Sequence, residues 1–218
     1  MGAILDFVTR YGPEFLIGLG YTLYISMLGS AIGIALGFVV ALLRGLPIPP
    51  LQWLCRTYVE VLRGTPILIQ LFIIYYVGPG FGLTLSAVTV GIFGLGIYGG
   101  AYFAEIFRSG FLSIPKGQIE AARMLGLSSA QILRKIKVPQ MLVLIIPPAI
   151  NQIIILVKES AVLSIITVPE LTKVTTQIVN ESFAIVGPYL VMALLYWGII
   201  EATSRLGMQL ERKLTRYL

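Results

Sequence analysis

Residues 120–139 read EAARMLGLSSAQILRKIKVP, a polar and basic stretch that separates two long apolar segments. Residues 119–125 are mostly good helix formers, and Gly126 can take the left-handed conformation that ends a helix. Ser128 lies three residues before Gln131, which is the spacing of a capping box, so a second helix is expected to begin there. The stretch therefore predicts an elbow made of a short helix, a turn and a second helix.

The second helix of this elbow is amphipathic. Its apolar residues fall on one side and its basic residues elsewhere, namely Ile132, Leu133 and Ile136 against Arg134, Lys135 and Lys137. The result is an elbow with an apolar face. Pattern alone leaves open an amphipathic connector that lies on the lipid surface and is held there by its basic residues.

Composition places the chain in a membrane. Hydrophobic residues make up 57% of it and charged residues 12%, with a mean hydropathy of +0.90, a balance outside that of soluble globular domains. The 218 residues suit one helical bundle, so we expect a single transmembrane domain over residues 1–218. The net charge of +6 comes from basic residues that flank apolar runs, a pattern that orients membrane segments and argues against nucleic-acid binding.

Catalysis and metal binding by this chain are not expected. The sequence contains no His and a single Cys, Cys55, which removes imidazole acid-base chemistry, the commonest metal ligand and any thiolate cluster. The pattern Gly94-x-Gly96-x-x-Gly99 matches a dinucleotide fingerprint but lies inside an apolar run with no strand before it. No Walker A pattern occurs in the sequence, so an ATP site, if ATP drives this protein, must lie on a different polypeptide.

Five apolar runs approach the length of about 20 residues that a helix needs to cross a bilayer. They cover residues 15–43, 58–77, 85–107, 138–157 and 186–206. If the connection between the first two runs is cytoplasmic, every Lys and Arg lies inside except Arg10, Lys158 and Lys173. This bias predicts an extracytoplasmic N-terminus, a cytoplasmic C-terminus and a cytoplasmic elbow.

Two kinds of residue in these runs have structural interpretations. Small residues at helical spacing predict close helix packing, and they are Gly29, Gly33, Gly37 and Ala41 in the first run and Gly96, Gly100 and Ala104 in the third. Charged residues three or four positions apart predict local ion pairs, which are Glu60 with Arg63, Glu105 with Arg108 and Glu201 with Arg205.

A polar interruption divides the apolar segment of residues 141–168. Lys158 and Glu159 are adjacent, so on a helix they point about 100 degrees apart and cannot neutralise each other face to face. Either the helix breaks at Ser160 or each charge finds a partner elsewhere. Asn151 lies close to the same face as Glu159, so this face should look into the bundle or a cavity. The alternative is that Lys158 and Glu159 sit at the outer headgroups.

The chain resembles permease subunits of the polar amino acid ABC importer family over nearly its whole length. The matching motifs occur in family order: Gly20-x-Thr22-Leu23, Glu60-x-x-Arg63-Gly64-Thr65-Pro66, Ala101-Tyr102-x-x-Glu105-x-x-Arg108-x-Gly110-x-x-x-Ile114-Pro115-Lys116-Gly117-Gln118, Glu120-Ala121-Ala122 with Gly126 and Ile136-x-Val138-Pro139, and Lys158-Glu159-Ser160. Glu159 departs slightly, because the family usually has Asp or Asn followed by Thr or Ser after the Lys.

The resemblance implies a fold and a set of partners. The fold is the all-α integral membrane type I ABC importer permease fold, with five transmembrane helices and a cytoplasmic coupling helix. The coupling loop, about residues 115–139, would bind a cytoplasmic ABC ATPase dimer through Glu120, Ala121, Ala122, Gly126 and Pro139. ATP and Mg would sit on that ATPase, with no cofactor on this chain. The other partners are a second permease copy, identical or a close paralogue, an extracytoplasmic amino-acid-binding protein, the amino acid and the bilayer of the bacterial inner membrane.

An amino acid substrate is a zwitterion that needs groups for its ammonium and its carboxylate, and the polar interruption holds the only charged residues expected deep in the outer half of the membrane. The expected pocket residues are Glu159, Ser160, Lys158, Asn151, Thr65, Leu68, Tyr98 and Tyr102. Glu159 would bind a cationic group, and Ser160 with backbone N–H groups at a helix break would bind the carboxylate. An acid at this position favours a basic amino acid such as arginine, histidine or lysine, with glutamine as the neutral competitor. The alternative function is a channel or secondary transporter that uses the interruption as an ion site without an ATPase.

The charge bias can be tested by cysteine labelling in sealed cells. A cysteine in place of Thr9 should react with a membrane-impermeant maleimide from outside, whereas a cysteine in place of Ser129 should react only after the membrane is opened. Labelling of the Ser129 position from outside would contradict the predicted topology.

Overall fold

The computed structural model describes residues 2–215, with side chains described for residues 9–213, and its regular elements in that range are helical. The α-helices, in chain order, are α1 (Gly2–Arg44), α2 (Pro49–Gly64), α3 (Ile67–Phe72), α4 (Ala87–Leu112), α5 (Lys116–Met124), α6 (Ser129–Ile132), α7 (Val138–Glu159), α8 (Leu171–Ser182) and α9 (Val186–Thr215). Two π turns, Ile73–Val77 and Leu133–Lys137, and two 3-10 segments, Gly78–Phe81 and Ser160–Ile166, extend α3, α6 and α7.

Four helical stretches are long and apolar enough to cross a membrane. They are Thr9–Arg44, Ala87–Leu112, Ser129–Ile166 and Val186–Lys213. A fifth would be the pair Pro49–Gly64 and Ile67–Phe81, which passes the same test but is bent by 106°. The stretches therefore correspond to the predicted apolar runs, although each of the four long ones extends several residues beyond a predicted bound.

The predicted second span, residues 58–77, is not one straight helix, because the chain bends sharply at Thr65. Pro66 disfavours the helical conformation in the residue before it, and Thr65 is extended, with φ −122° and ψ 144°. The Gln70 amide donates to the carbonyl oxygens of Leu62 at 2.9 Å and Thr65 at 3.1 Å. These bonds satisfy backbone groups that the bend leaves without helical partners.

Glycines bring α1 and α4 into backbone contact along the centre of the bundle. A Cβ atom on Gly37 would lie 2.5 Å from the Cβ of Phe103 and 2.8 Å from the backbone nitrogen of Ala104. A Cβ atom on Gly33 would lie 3.2 Å from the backbone nitrogen of Gly100. The predicted packing role of these small residues is confirmed, and α4 becomes the central helix that also touches α2 and α7.

Both π turns come just before a proline. Val77 and Lys137 end the two turns, and Pro79 and Pro139 follow two residues later. In the second turn the N–H of Val138 reaches back five residues to the carbonyl oxygen of Leu133. The wider winding eases the clash that a proline ring makes with the carbonyl four residues before it, so the helix continues past Pro139 into α7.

At the polar interruption the helix changes its winding instead of breaking. α7 ends at Glu159 and continues as the 3-10 segment Ser160–Ile166. The N–H of Ser160 remains hydrogen-bonded to the carbonyl oxygen of Leu156. The expected break with freed N–H groups at Ser160 is therefore absent from this part of the described chain.

Two of the three predicted ion pairs are confirmed. Arg108 donates to Glu105 at 2.6 Å, and Arg205 donates to Glu201 at 2.6 Å. The third is wrong: Glu60 accepts from Arg56 at 2.6 Å, whereas the Arg63 guanidinium lies 5.2 Å from the centre of the Tyr102 ring. Arg56 and Arg63 lie on opposite sides of Glu60 in sequence, and only Arg56 pairs with it, while Arg63 lies over the Tyr102 ring.

The contact between α1 and α4 can be tested with matched glycine substitutions in α1. Gly37→Ala should destabilise the protein by about 1 to 3 kcal/mol because its methyl group overlaps backbone atoms of α4. Gly20→Ala is the control, since a Cβ atom there meets nothing within 4 Å. Thermal unfolding of the two purified variants in detergent measures the difference, and equal unfolding temperatures would contradict the packing argument.

Candidate functional site

The elbow has the predicted geometry. α5 ends at Met124, and Gly126 takes a left-handed conformation with φ +75°. The N–H of Gly126 bonds to the carbonyl oxygen of Arg123 at 2.9 Å, and the N–H of Leu127 bonds to that of Ala122 at 3.1 Å. These bonds close the turn that ends α5.

The second half of the elbow begins with the predicted capping box. The Gln131 N–H donates to the Ser128 hydroxyl oxygen at 3.3 Å, and the Ser128 N–H donates to the Gln131 side-chain oxygen at 2.8 Å. Both ends of the turn are therefore specified by local sequence.

The predicted coupling residues occupy different parts of this elbow. Glu120 and Ala121 are exposed on α5, and Ala122 is buried beneath them. Gly126 forms the turn, while Pro139 lies half-buried at the start of α7, beyond the tip. Four of the five therefore share the α5 end of the elbow, and Pro139 shapes its exit.

Sequence reasoning missed the most exposed apolar residues of the elbow. Met124 is 89% exposed and Leu125 is 81% exposed, side by side at the tip. Adjacent apolar side chains held out on a rigid turn are typical of a surface that binds another protein. Their position directly before Gly126, at the turn, could have predicted this exposure from the sequence.

The elbow is fixed to the helical bundle behind it. The Gln140 amide on α7 donates to the side-chain oxygen of Gln118 on α5 at 2.7 Å. Ile119 packs against the buried cluster that contains Met141 and Ile145 of α7. A force applied at the tip would therefore reach α7, the helix that carries the polar interruption.

A polar cluster lies where α2, α4 and the end of α7 meet, with Tyr98 buried, Tyr102 and Glu159 half-buried and Arg63 exposed. The Tyr98 hydroxyl donates to that of Tyr102 at 3.2 Å, and their rings are 4.9 Å apart between centres. The Glu159 carboxylate is close enough to interact electrostatically with Tyr98. The Arg63 guanidinium lies over the Tyr102 ring, 5.2 Å from its centre.

The cluster thus joins one predicted acid, two predicted aromatics and an unpredicted cation. Opposite charges at the two ends of an aromatic wall match the ammonium and carboxylate of a zwitterion. Arg63 had been assigned to Glu60, because the three-residue spacing on a helix suggested that pair. The Gly64-Thr65-Pro66 sequence, which bends the chain at the end of α2, could have indicated that Arg63 takes a different partner.

The other predicted pocket residues lie apart from this cluster or have their groups engaged. Lys158 and Asn151 are exposed on the surface of the chain, and Leu68 is half-buried. The Thr65 hydroxyl donates to the carbonyl oxygen of Val61 at 2.8 Å, within the bend. The buried Ser160 hydroxyl donates to the carbonyl oxygen of Val157 at 2.8 Å.

A buried carboxylate at the start of α8 was also missed. Glu170 accepts from the N–H groups of Thr172 at 2.8 Å and Lys173 at 2.7 Å and from the Tyr196 hydroxyl at 2.9 Å. The Leu171 N–H beside it donates to the Thr22 hydroxyl of α1 at 3.1 Å. Burial raises the pKa of the Glu170 carboxyl, and the hydrogen bonds it accepts offset part of that rise. The network joins α8 to α1 and α9.

Comparison with known proteins agrees with this geometry. A family model described as "Binding-protein-dependent transport system inner membrane component" matches residues 33–216. The probable amino-acid ABC transporter permease protein YckA of Bacillus subtilis (strain 168) is 38% identical, over 94% of this chain and 91% of its own length. The L-cystine transport system permease protein TcyB of the same organism is 36% identical, over 92% of this chain and 86% of its own length.

A solved structure is similar in fold as well as in sequence. A chain from the crystal structure of an amino acid ABC transporter with histidines superposes with a TM-score of 0.90 at 36% identity, covering 96% of this chain and 98% of that one. The match includes the helices that carry the elbow and the polar cluster, so the fold is that of a type I ABC permease. The chain belongs to the binding-protein-dependent transport system inner membrane component family, as an amino-acid ABC transporter permease.

Proposed function

We propose that this chain is the translocation subunit of an ATP-driven amino acid importer in the bacterial inner membrane. It crosses the membrane five times, with the bent α2–α3 pair as one span, the N-terminus outside and the C-terminus and elbow in the cytoplasm. The observation that carries the proposal is that α7 connects an exposed apolar elbow to a charged, aromatic cluster in one bundle. This arrangement allows a partner at the elbow to act on a substrate at the cluster.

The partner at the elbow is a cytoplasmic ABC ATPase, present as a dimer that holds ATP and Mg. Met124 and Leu125 enter an apolar groove of the ATPase, and Glu120 makes an anionic contact beside them. A second permease copy, identical or paralogous, completes the pathway. The most apolar segment of α9 supports this, because only 11% of that segment is buried against the rest of the chain. An extracytoplasmic binding protein delivers the amino acid.

The substrate binds between Glu159 and Arg63. Glu159 takes a cationic group and Arg63 takes the carboxylate, while Tyr98 and Tyr102 form the wall between them. Arg63 replaces Ser160 as the carboxylate group in this proposal, because the Ser160 hydroxyl and N–H are engaged within their own helix. Arg63 is exposed as well but lies over the Tyr102 ring, whereas Lys158 and Asn151 would contribute only where another subunit covers them.

Transport proceeds by alternating access. Closure of the ATPase dimer moves the elbow, and α7 moves with it, so that the cluster opens in turn to the two sides of the membrane. The acid at position 159 favours a basic amino acid, and a solved relative was crystallised with histidines. The cystine permease among the relatives indicates that the fold alone does not determine the substrate.

The coupling role of the elbow can be tested at its glycine turn. Gly126→Val should lower ATP hydrolysis stimulated by loaded binding protein, because a branched residue is disfavoured at φ +75°. Gly117→Val is the matched control, since both glycines are exposed, a Cβ atom at either meets nothing within 4 Å, and only Gly126 has a positive φ. Glu120→Ala should lower stimulated hydrolysis by removing the anionic contact. Membrane insertion should stay unchanged in all three variants, and wild-type stimulation in the Gly126→Val, Glu120→Ala double variant would refute the coupling role.

The substrate role of Glu159 can be tested by uptake into proteoliposomes. Glu159→Gln keeps the shape and removes the charge, so arginine uptake should weaken by about 1.5 to 3 kcal/mol, or roughly 10- to 150-fold. Glu181→Gln, an exposed acid on α8, is the control and should transport normally. If arginine and glutamine uptake fall equally, Glu159 binds the shared α-ammonium; a larger loss for arginine assigns it to the basic side chain. Unchanged uptake of both would remove Glu159 from the site.

A further inference from the structure

A cavity lies between the elbow and the ends of the long helices, and the Tyr98 cluster is not part of its lining. Its volume is about 780 Å³, within the range of about 300 to 1,000 Å³ that is typical of ligand pockets. The end of α1, the start of α2, the end of α4 and both halves of the elbow form its walls. It therefore sits at the level where the apolar helices leave the membrane.

The wall of this cavity is strongly basic. Five cations line it, Arg44, Arg56, Arg108, Arg123 and Lys137, and no carboxylate does. Glu105 pairs with both Arg44 and Arg108, and Glu60 pairs with Arg56, so two carboxylates compensate part of this charge from outside. About three positive charges remain uncompensated around the cavity.

Arg123 and Lys137 carry most of that excess. Among residues 9–213, neither has a carboxylate within ion-pair distance. Arg123 is on α5, and Lys137 ends the π turn before α7, so they approach the cavity from the two halves of the elbow. An anion between them would be attracted by two cations that the protein itself leaves unpaired.

The rest of the wall is mostly apolar, with Gln52 and Ser129 as its neutral polar residues. The side formed by the ends of α1 and α4 is lined by Leu42, Leu46, Phe111 and Leu112. Trp53 stands at the rim with 68% of its surface exposed. Trp is enriched at the boundary between headgroups and hydrocarbon. A small soluble anion would gain nothing from contact with the apolar part of the wall. A phospholipid can place its phosphate against the basic residues and its apolar body against the apolar residues.

We propose that this cavity binds an anionic phospholipid of the adjoining leaflet. Its phosphodiester contacts Arg123 and Lys137, and its glycerol and upper acyl chain lie against Leu42, Phe111 and Trp53. Basic pockets between membrane helices are suited to acidic headgroups. Because Arg123 belongs to the elbow while Leu42 and Trp53 belong to α1 and α2, the lipid would tether the elbow to the membrane scaffold.

Thermal unfolding of the full-length chain, purified in a neutral detergent and stripped of lipid, tests this site. Phosphatidylglycerol should raise the unfolding temperature by about 3 °C or more, and phosphatidylcholine with the same acyl chains should not. The Arg123→Gln, Lys137→Gln double variant should lose the shift. The Arg134→Gln, Lys135→Gln double variant removes the same charge from neighbouring exposed positions that do not line the cavity, and should keep the shift.

Each other outcome counts against the proposal. An equal shift with phosphatidylcholine would show a general lipid effect, and an equal shift with inorganic phosphate would show a site for a soluble anion. Equal loss in both double variants would show non-specific attraction. If the first double variant does not fold, Arg123→Gln alone should lose at least half of the shift. Loss of the wild-type shift when the ATPase subunit is bound would assign the cavity to a protein interface.

Discussion

The close approach of α1 and α4 is the constraint on which the rest of the structure depends. Glycines at the crossing remove the side chains that would keep the two backbones apart, and at Gly37 even a single methyl group has no room. α4 is thereby held in the middle of the bundle, where Tyr58 of α2 donates to the carbonyl oxygen of Ile97 and Gly99 packs under Leu156 of α7. The position of Tyr98 and Tyr102 follows from this packing.

Prolines and charged residues then determine the geometry around the two tyrosines that α4 carries. The Thr65–Pro66 bend ends α2 at the point where Arg63 lies over the Tyr102 ring, so a bend in one span adjoins one end of the polar cluster. The π turn before Pro139 lets the elbow continue into α7 without a break. The continuous helix from Ser129 to Glu159 would transmit a displacement of the elbow over its length, whereas a flexible joint would absorb it.

Local features were predictable from the sequence, and contacts across the fold were not. The turn at Gly126, the capping box at Ser128 and the packing glycines depend on neighbours a few residues away or on a repeated spacing, so pattern alone predicts them. Whether Glu60 pairs with Arg56 or Arg63 depends on Tyr102, which is far away in sequence. The Glu170 network needs partners from α1 and α9, and no spacing in the sequence predicts which hydroxyls meet it.

The central claim is that the elbow tip is the surface that an ATPase binds, and site-specific photo-crosslinking in intact cells tests it most directly. Met124 and Phe183 are both 89% exposed apolar residues, one at the elbow and one after α8, so each can carry the same photoreactive side chain in a matched comparison. If the ATPase binds the elbow tip, the Met124 position should crosslink to a cytoplasmic ABC ATPase and the Phe183 position should not. An ATPase crosslink at Phe183, or none at Met124 in cells that contain the assembled transporter, would contradict it.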